Sequence, residues 1–308
     1  MATENRQQKT ENRLFRILTF GCKVNQCDTM GLAQALIAQG WQEAPQGTAP
    51  DLLLVNTCTV TARADQQARQ AIRRLAREYP GTPLWVTGCY AQRAPAELTA
   101  LPGVQAVLGN REKTRLADFL AELPPEQPLL NVGSFAPGEA FQAWPAPLIP
   151  GHTRPRLKIQ DGCEHHCTYC IVPQVRGPRR SLSLEEIAAA LEKLAAAGYQ
   201  EVVLTGVNLG QYGLDLTPAS NLAALLRELR SQPRPARLRL SSLEPQEVTP
   251  ALLQELAAFP GFCPHFHLPL QSGAAPVLTA MGRDYTPHEF RDLVQEINRN
   301  FPDAGLGL

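Results

Sequence analysis

Three short apolar runs, FRILTF, DLLLVN and PLWVTG, each end within two residues of a cysteine: Cys22, Cys58 and Cys89. Runs of this length that stop at turn residues are the signature of strands buried on both faces of a parallel sheet. Between them the spacing predicts helices over Cys27 to Gln39 and Ala62 to Glu78, and ADFLAEL closes the region. Strand and helix in alternation imply a parallel sheet with right-handed crossovers. The loops after such strands open on one edge, where open α/β folds bind their ligands. Three thiols far apart in sequence are thereby expected at one place. Helix N-termini follow each loop, and their partial positive charge is expected to favour thiolate and an anionic group. The bland alternative is three separately buried cysteines. Cys27, five residues past Cys22, is a possible spare ligand, but it falls in the following helix, where packing is the more natural role; Cys263 reads the same way.

The chain carries eight cysteines, and where they are spent depends on compartment. No apolar run approaches the roughly 18 residues of a membrane span. The opening MATENRQQKTENR lacks the apolar core of a secretory signal. A cytoplasmic location is expected, and there cysteines are ligands, nucleophiles or small apolar residues rather than disulfide partners. At 308 residues, 44% hydrophobic and 19% charged, the chain is long enough for two globular domains, each with its own core. Its net charge is zero, so a nucleic acid must be met by a local basic patch. Arg73-Arg74, Arg176 to Arg180 and Arg234 to Arg239 are the short basic clusters, and each reads equally as a solvated face.

Eight prolines fall between Pro124 and Pro155, a density expected to exclude regular structure. This divides the chain into a polar tail (1–14), an N-terminal domain (15–123), a linker (124–153) and a second domain (154–308). In the last, RLKIQ, EVVLTG, ARLRLSS and PHFHLPL read as strands. LSLEEIAAALEKLAAAG, NLAALLRELR, TPALLQELAAF and TPHEFRDLVQEINRN read as helices. Ser183 with Glu186 three residues on forms a capping box, and Gly198 stops that helix. AGLGL reads as the opening of a fifth strand, where the sequence ends.

The first loop of this domain, DGCEHHCTYCIVPQVRG, holds Cys163, Cys167 and Cys170 and no fourth cysteine. Thiolates select zinc or iron–sulfur clusters. Zinc would recruit His165 or His166 to reach four ligands, but both lie between Cys163 and Cys167, an awkward position for the same ion. A [4Fe–4S] cluster with three protein-bound irons leaves its fourth iron open to an outside ligand.

C-x3-C-x2-C after the first strand of a βα barrel resembles the radical S-adenosylmethionine enzymes. FGCKVNQCDT, LLLVNTCTVTARADQQAR and TGCYAQRAP resemble the N-terminal domain of methylthiotransferases. DGCEHHCTYCIVPQVRGPRRS, TGVNLGQYG, LSSLEP, HLPLQSG and MGRDYT resemble their catalytic domain, in family order over most of residues 15 to 308. GCKVNQ and TGVNLGQYG look most like the threonylcarbamoyladenosine tRNA methylthiotransferase branch. The resemblance implies a flavodoxin-like, Rossmann-type α/β domain followed by an incomplete radical S-adenosylmethionine (β/α) partial TIM barrel.

It also implies that Cys163, Cys167 and Cys170 hold the [4Fe–4S] cluster that binds and cleaves S-adenosylmethionine, giving a 5′-deoxyadenosyl radical. Cys22, Cys58 and Cys89 would hold an auxiliary [4Fe–4S] cluster that carries the sulfur to be transferred. One S-adenosylmethionine methylates that sulfur, and a second makes the radical that takes hydrogen from carbon 2 of the adenine. Tyr169 would lie against the cofactor adenine, and Gly206 and Asn208 would sit at its amino group. Ser241, Ser242 and Glu244 would reach its ribose or carboxylate, and Arg176 its carboxylate or an RNA phosphate. His267, Gln271 and Ser272 are candidates to line the barrel, with His265 on the same strand face as His267. The implied partners are a tRNA anticodon stem-loop and an electron donor such as flavodoxin or ferredoxin, with no membrane; the oligomeric state is left open. Competing readings are a methylthiotransferase acting on isopentenyladenosine tRNA or on a ribosomal-protein side chain, and a noncatalytic metal-binding scaffold. Members of the family continue through a sixth βα unit and a small RNA-binding β-domain, so the expectation is a partial version of such an enzyme.

Overall fold

The structure, a computed structural model, describes residues 13–120, 128–136, 138–144, 146–148 and 153–308. Most of the polar tail, the end of ADFLAEL and parts of the expected linker lie outside the described residues. The chain divides into two compact units. The first runs to Phe135 and includes Gln174–Arg176; the second comprises Ala136–Pro173 and Gly177–Leu308.

In the first unit the strands are β1 (Leu14–Thr19), β2 (Gln42–Glu43), β3 (Leu52–Thr57), β4 (Leu84–Gly88), β5 (Val104–Leu108) and β6 (Leu129–Asn131). They form one sheet in the order β2-β1-β3-β4-β5-β6, parallel at every pairing. Every residue of β3 and β4 is buried, which is why both read as continuous apolar runs. The helices are α1 (Lys23–Ala38), α2 (Ala62–Glu78), α3 (Cys89–Arg93), α4 (Pro95–Thr99) and α5 (Leu116–Leu120). Thr61 caps α2 by accepting from the Ala64 N–H, and Ala68, Ile72 and Leu75 turn one stripe of that helix into the core.

Three expectations need correction here. Helix α1 begins at Lys23, not Cys27, because Gly21 (φ +98°) turns the chain sharply enough for Cys22 to take the capping position. Strand β5 escaped the sequence reading, since VQAVL is short and broken by a polar residue. The proline-rich segment is also not wholly irregular: Leu129–Asn131, free of prolines, adds β6 to the sheet by pairing with β5. As an edge strand it needs ladder partners on one side only.

In the second unit the strands are β7 (Arg156–Asp161), β8 (Arg180–Ser181), β9 (Glu201–Gly206), β10 (Arg237–Leu240), β11 (His265–His267) and β12 (Gly305–Gly307). One sheet has the order β10-β9-β7-β8, with only β8 antiparallel, and β11 pairs in parallel with β12. Single bridges, Leu238 to Phe262 and Ser242 to His267, carry the curvature from β10 towards β11. The succession β7, β9, β10, β11, β12 is an open βα arc, and β12 is the strand that AGLGL anticipated. Its helices are α6 (Val172–Arg176), whose last three residues belong to the first unit, then α7 (Leu184–Ala196), α8 (Leu222–Leu229), α9 (Pro250–Ala258), α10 (Ala275–Ala280) and α11 (Pro287–Asn300). Ile187, Leu191 and Leu194 of α7, the four buried leucines of α8 and Phe290, Leu293 and Ile297 of α11 line one core. Each such residue contributes about 1.5–3 kcal/mol relative to exposure. Capping boxes at Ser183/Glu186 and Thr286/Glu289 set where α7 and α11 begin. No described helix is long and apolar enough to cross a membrane.

Candidate functional site

Cys22, Cys58 and Cys89 follow β1, β3 and β4, three neighbours in the sheet, so their loops stand side by side on its carboxyl edge. Two glycines let them close up. A Cβ on Gly21 would lie 2.6 Å from the Cys58 Cβ and 2.7 Å from its Sγ. A Cβ on Gly88, also at φ +98°, would lie 2.3 Å from the Thr57 carbonyl oxygen. Asn25, in the first turn of α1, donates to the Phe20 and Thr57 carbonyls at 2.7 and 2.8 Å and ties two of the loops together.

Burial pushes the Cys58 thiol up, and neighbouring Cys89 and Cys22 push the same way, against backbone N–H donation from Val60 and Thr59. Cys58 thus lies within electrostatic reach of both Cys22 and Cys89. At Cys58 burial is the largest influence, and the net shift is opposite in sense to the thiolate preference expected there. Loading a metal group must therefore displace protons. Asn110 Nδ2 donates to Cys89 Sγ at 3.7 Å, a contact the sequence did not suggest. Cys27 and Cys263 are both buried.

Behind this trio lies a buried ion cluster. Asp28 accepts from Lys113 Nζ at 2.5 Å and from Arg176 Nη2 at 2.9 Å, and Arg176 also donates to Asn25 Oδ1 at 2.8 Å. All three charged groups are essentially inaccessible. Arg176 was expected on cofactor carboxylate or RNA phosphate; it is instead committed to Asp28 inside the first unit. Sequence reading saw its positive charge but not the distant aspartate that claims it.

In the second unit Cys163, Cys167 and Cys170 share the loop after β7. Gly162 (φ +75°) opens that loop, and a Cβ there would strike the Pro178 carbonyl at 1.9 Å. The Cys163 N–H donates to the Gly177 carbonyl, and the Cys170 N–H to the Cys167 carbonyl. Thr168 is stapled to the turn after α10, its N–H donating to Met281 O at 3.1 Å and its hydroxyl to Ala280 O at 3.0 Å. Burial raises the Cys163 thiol, opposed by donation from the His165 N–H at 3.4 Å and from Asn208 Nδ2 at 3.8 Å, while Cys170 and Cys167 raise it further. N–H donors around sulfur are what an anionic iron–sulfur group uses for stabilisation.

The zinc alternative would draw on His165 or His166. His165 is occupied by Glu247 Oε1 at 3.3 Å and Gln211 Nε2 at 3.0 Å. A tetrahedral zinc with sulfur at about 2.3 Å draws its ligands tightly together, whereas a cubane takes its thiolates on separate irons.

The other sequence candidates gather at the carboxyl ends of β9 and β10. Asn208 is buried, its N–H donating to Gln160 Oε1 at 2.8 Å. Gly206 lies against the same Gln160, where a Cβ would be 2.9 Å from Oε1. Ser241 is buried, Ser242 Oγ is 2.5 Å from His267 Nδ1, and Glu244 accepts from Arg283 Nη1 at 2.6 Å. Tyr169 is half exposed, with the Arg283 guanidinium 5.8 Å from its ring centre. Ser272 accepts from the Ala274 N–H within its own turn, and Gln271 stands at φ +62°. Gln160, Gln211, Glu247 and Arg283 went unnoticed in the sequence; only the GQYG and MGRDYT segments holding two of them gave any signal.

Several buried polar atoms here have no partner among the described residues: Asn208 Oδ1, Gln211 Oε1, Ser241 Oγ, Glu247 Oε2 and Arg283 Nε. Orphans in such number at one strand edge are costly unless a polar ligand satisfies them. An amino acid sulfonium joined to a nucleoside, with its ammonium, carboxylate and hydroxyls, suits that donor and acceptor set.

Residues 14–109 match the model of Uncharacterized protein family UPF0004 and residues 157–307 that of the Radical SAM superfamily. Threonylcarbamoyladenosine tRNA methylthiotransferase MtaB of Aquifex aeolicus is 38% identical over 94% of this chain and 70% of its own length. The chain belongs to the radical S-adenosylmethionine methylthiotransferase family. Its cofactors are accordingly S-adenosylmethionine and [4Fe–4S] clusters. The MtaB of Bacillus subtilis is 37% identical over 94% of this chain and 64% of that relative, so the chain spans about two thirds of the length of the curated relatives it matches. These relatives agree with the threonylcarbamoyladenosine branch read from GCKVNQ and TGVNLGQYG. The tRNA-2-methylthio-N(6)-dimethylallyladenosine synthase of Dictyoglomus thermophilum is 34% identical over 95% of the chain. Among solved structures, the radical S-adenosylmethionine methyltransferase TsrM from Kitasatospora setae superposes with a TM-score of 0.63 at 20% identity, covering 93% of this chain and 65% of that one. At that identity it speaks for the fold alone.

Proposed function

We propose that this chain carries the cluster-bearing and catalytic units of a tRNA methylthiotransferase that adds a methylthio group to carbon 2 of N6-threonylcarbamoyladenosine next to the anticodon. The observation that carries the reading is the pair of cysteine trios, each at the carboxyl edge of parallel strands, with no fourth cysteine in the loop that holds Cys163, Cys167 and Cys170. In this reading Cys163, Cys167 and Cys170 hold the radical cluster, and Cys22, Cys58 and Cys89 the auxiliary one. When bound, the clusters and S-adenosylmethionine supply a carbon radical able to take hydrogen from an inert ring C–H, together with the sulfur that replaces it.

The polypeptide's task is placement. Tyr169 lies beside the cofactor adenine. Asn208 holds Cys163 with its amide N–H and offers Oδ1 to the cofactor ammonium, with the bare Gly206 backbone next to it. Ser241 and Ser242 take ribose or carboxylate oxygens, and Glu244 accepts from a ribose hydroxyl. The substrate is an anticodon-loop adenine, which single-stranded RNA can splay out and stack without duplex melting. The electron comes from a low-potential donor such as flavodoxin or ferredoxin, and the protein works in the cytoplasm with tRNA as its partner. Nucleoside analysis of tRNA from a deletion strain tests this directly. The methylthio derivative of threonylcarbamoyladenosine should vanish and return on re-expression. If it persists while the dimethylallyladenosine derivative vanishes, the substrate is the other tRNA nucleoside.

A further inference from the structure

The turn that follows α10 places a buried cation beside the cysteine loop. Gly282, at φ +68°, allows the turn, and the Arg283 N–H closes it on the Leu278 carbonyl at 2.9 Å. The same turn is held to the cysteine loop by Thr168, and a Cβ on Gly282 would come within 3.2 Å of the His166 carbonyl. From there Arg283 reaches inward until its side chain is only 4% exposed. Nη1 is fixed by Glu244, the guanidinium lies over Tyr169, and the buried Nε–H has no partner among the described residues. Arginine keeps its proton under all ordinary conditions, so this is a permanent charge in a poorly screened place.

We propose that Arg283 is a positioning residue for the radical cluster: it sets a fixed positive charge and an unspent N–H beside Cys167, so that the cluster accepts its electron more readily. The inference rests on the reading of Cys163, Cys167 and Cys170 as cluster ligands. Gaining one electron makes a cluster more negative, and a nearby cation stabilises the reduced form over the oxidised one. Glu244 partly offsets the field, but its side chain is 20% exposed against 4% for Arg283, so its charge is the better screened of the two. Gly282, the residue before Arg283, packs against the loop at Cys167, where a Cβ on it would lie 3.7 Å from the Cys167 Cα. Burial works against the charge on Arg283 itself, and the hydrogen bond and charge of Glu244 overcome it. Glu244 is thus the tether that makes a buried guanidinium tolerable.

The test uses the full chain, reconstituted without oxygen, in a Cys22→Ala, Cys58→Ala, Cys89→Ala background that leaves one cluster. The paramagnetic signal of the reduced cluster is followed during graded reduction with dithionite. Arg283→Gln should make reduction about tenfold less favourable, a midpoint about 59 mV more negative for one electron. Arg283→Lys, which keeps the charge, should recover most of that shift. Glu244→Gln, which removes the offsetting charge, should move the midpoint the other way. Parent-like midpoints in Arg283→Gln at full iron content overturn the inference. Should Arg283→Gln take up no iron, an unmoved midpoint in Glu244→Gln overturns it. Absence of iron from the background protein itself overturns the cluster reading and this inference together, which separates the two failures.

Discussion

In the first unit the three cysteines arrive on separate loops, after β1, β3 and β4, whereas in the second Cys163, Cys167 and Cys170 share one loop. The first site exists only once its strands have paired, because nothing local brings Cys22 near Cys58 or Cys89. It is held by long-range contacts such as Asn25 to the Thr57 carbonyl and by a buried ion cluster beneath. The second is grouped by chain connectivity and needs outside staples only to fix its shape, through Gly177 and the Met281 turn. Two routes to three thiolates therefore place their vulnerability differently: in the packing of the sheet for one, in the conformation of a loop for the other.

The sharpest way to break this contrast is at Asp28. Asp28→Ala removes the buried carboxylate that Lys113 and Arg176 share, at a cost of about 3–5 kcal/mol. Urea unfolding followed by tryptophan fluorescence, to which the buried Trp41 and Trp85 of this unit contribute, should show that loss. The iron held by the first trio should fall while that of the second stays.

Next in size are the two glycines. Gly21→Ala and Gly162→Ala each force an L side chain into a left-handed conformation and a clash, at about 1–3 kcal/mol. Iron per chain should drop by about half in each, from the first trio in one and the second in the other. Equal losses from both sites in either variant would erase the distinction drawn here.

A third comparison sets Glu201 of β9 against Asp28. Burial alone would raise its carboxyl, but the hydrogen bond and charge of Arg239, then Arg237 and Arg154, hold it below the ordinary value. A folded-state value below the unfolded one means stabilisation that is full above the unfolded value and lost as pH falls through the folded one. Because Arg237 and Arg154 are largely exposed, Glu201→Gln should cost only about 1–2 kcal/mol at neutral pH. Its melting temperature should converge on that of the parent in acid. A gap independent of pH would show that the carboxylate charge does not matter.

The smallest effect belongs to the two asparagines that donate to cysteine sulfur, Asn110 to Cys89 and Asn208 to Cys163. Each Asn→Leu change should remove about 1 kcal/mol of hydrogen bonding and lower the midpoint of its own cluster by a few tens of millivolts. Crossed effects, in which Asn110→Leu shifts the second cluster, would mean that the two sites are not independent.

How much of this was legible beforehand varies residue by residue. The six cysteines and the βα rhythm were plain, because turn-bounded apolar runs and short cysteine spacings are local signals. The start of α1 was missed by four residues, since a glycine turn rather than hydrophobic periodicity decides it. Strand β6 was hidden by the prolines around it. Arg176 was misassigned and Arg283 overlooked for one reason: a charge written in sequence does not say which distant carboxylate will take it.

The linear order of residues alone determined the alternation of strands and helices, the common address of the cysteines at strand ends, and the absence of a fourth cysteine in the loop after β7, because each depends on neighbours within about one βα unit. Tertiary structure alone decided which cations are spent on Asp28 and Glu244, which thiols are raised by burial, and which buried polar atoms are left to face a ligand. Those outcomes turn on desolvation and on pairings across tens of residues, and neither exists until the strands have come together.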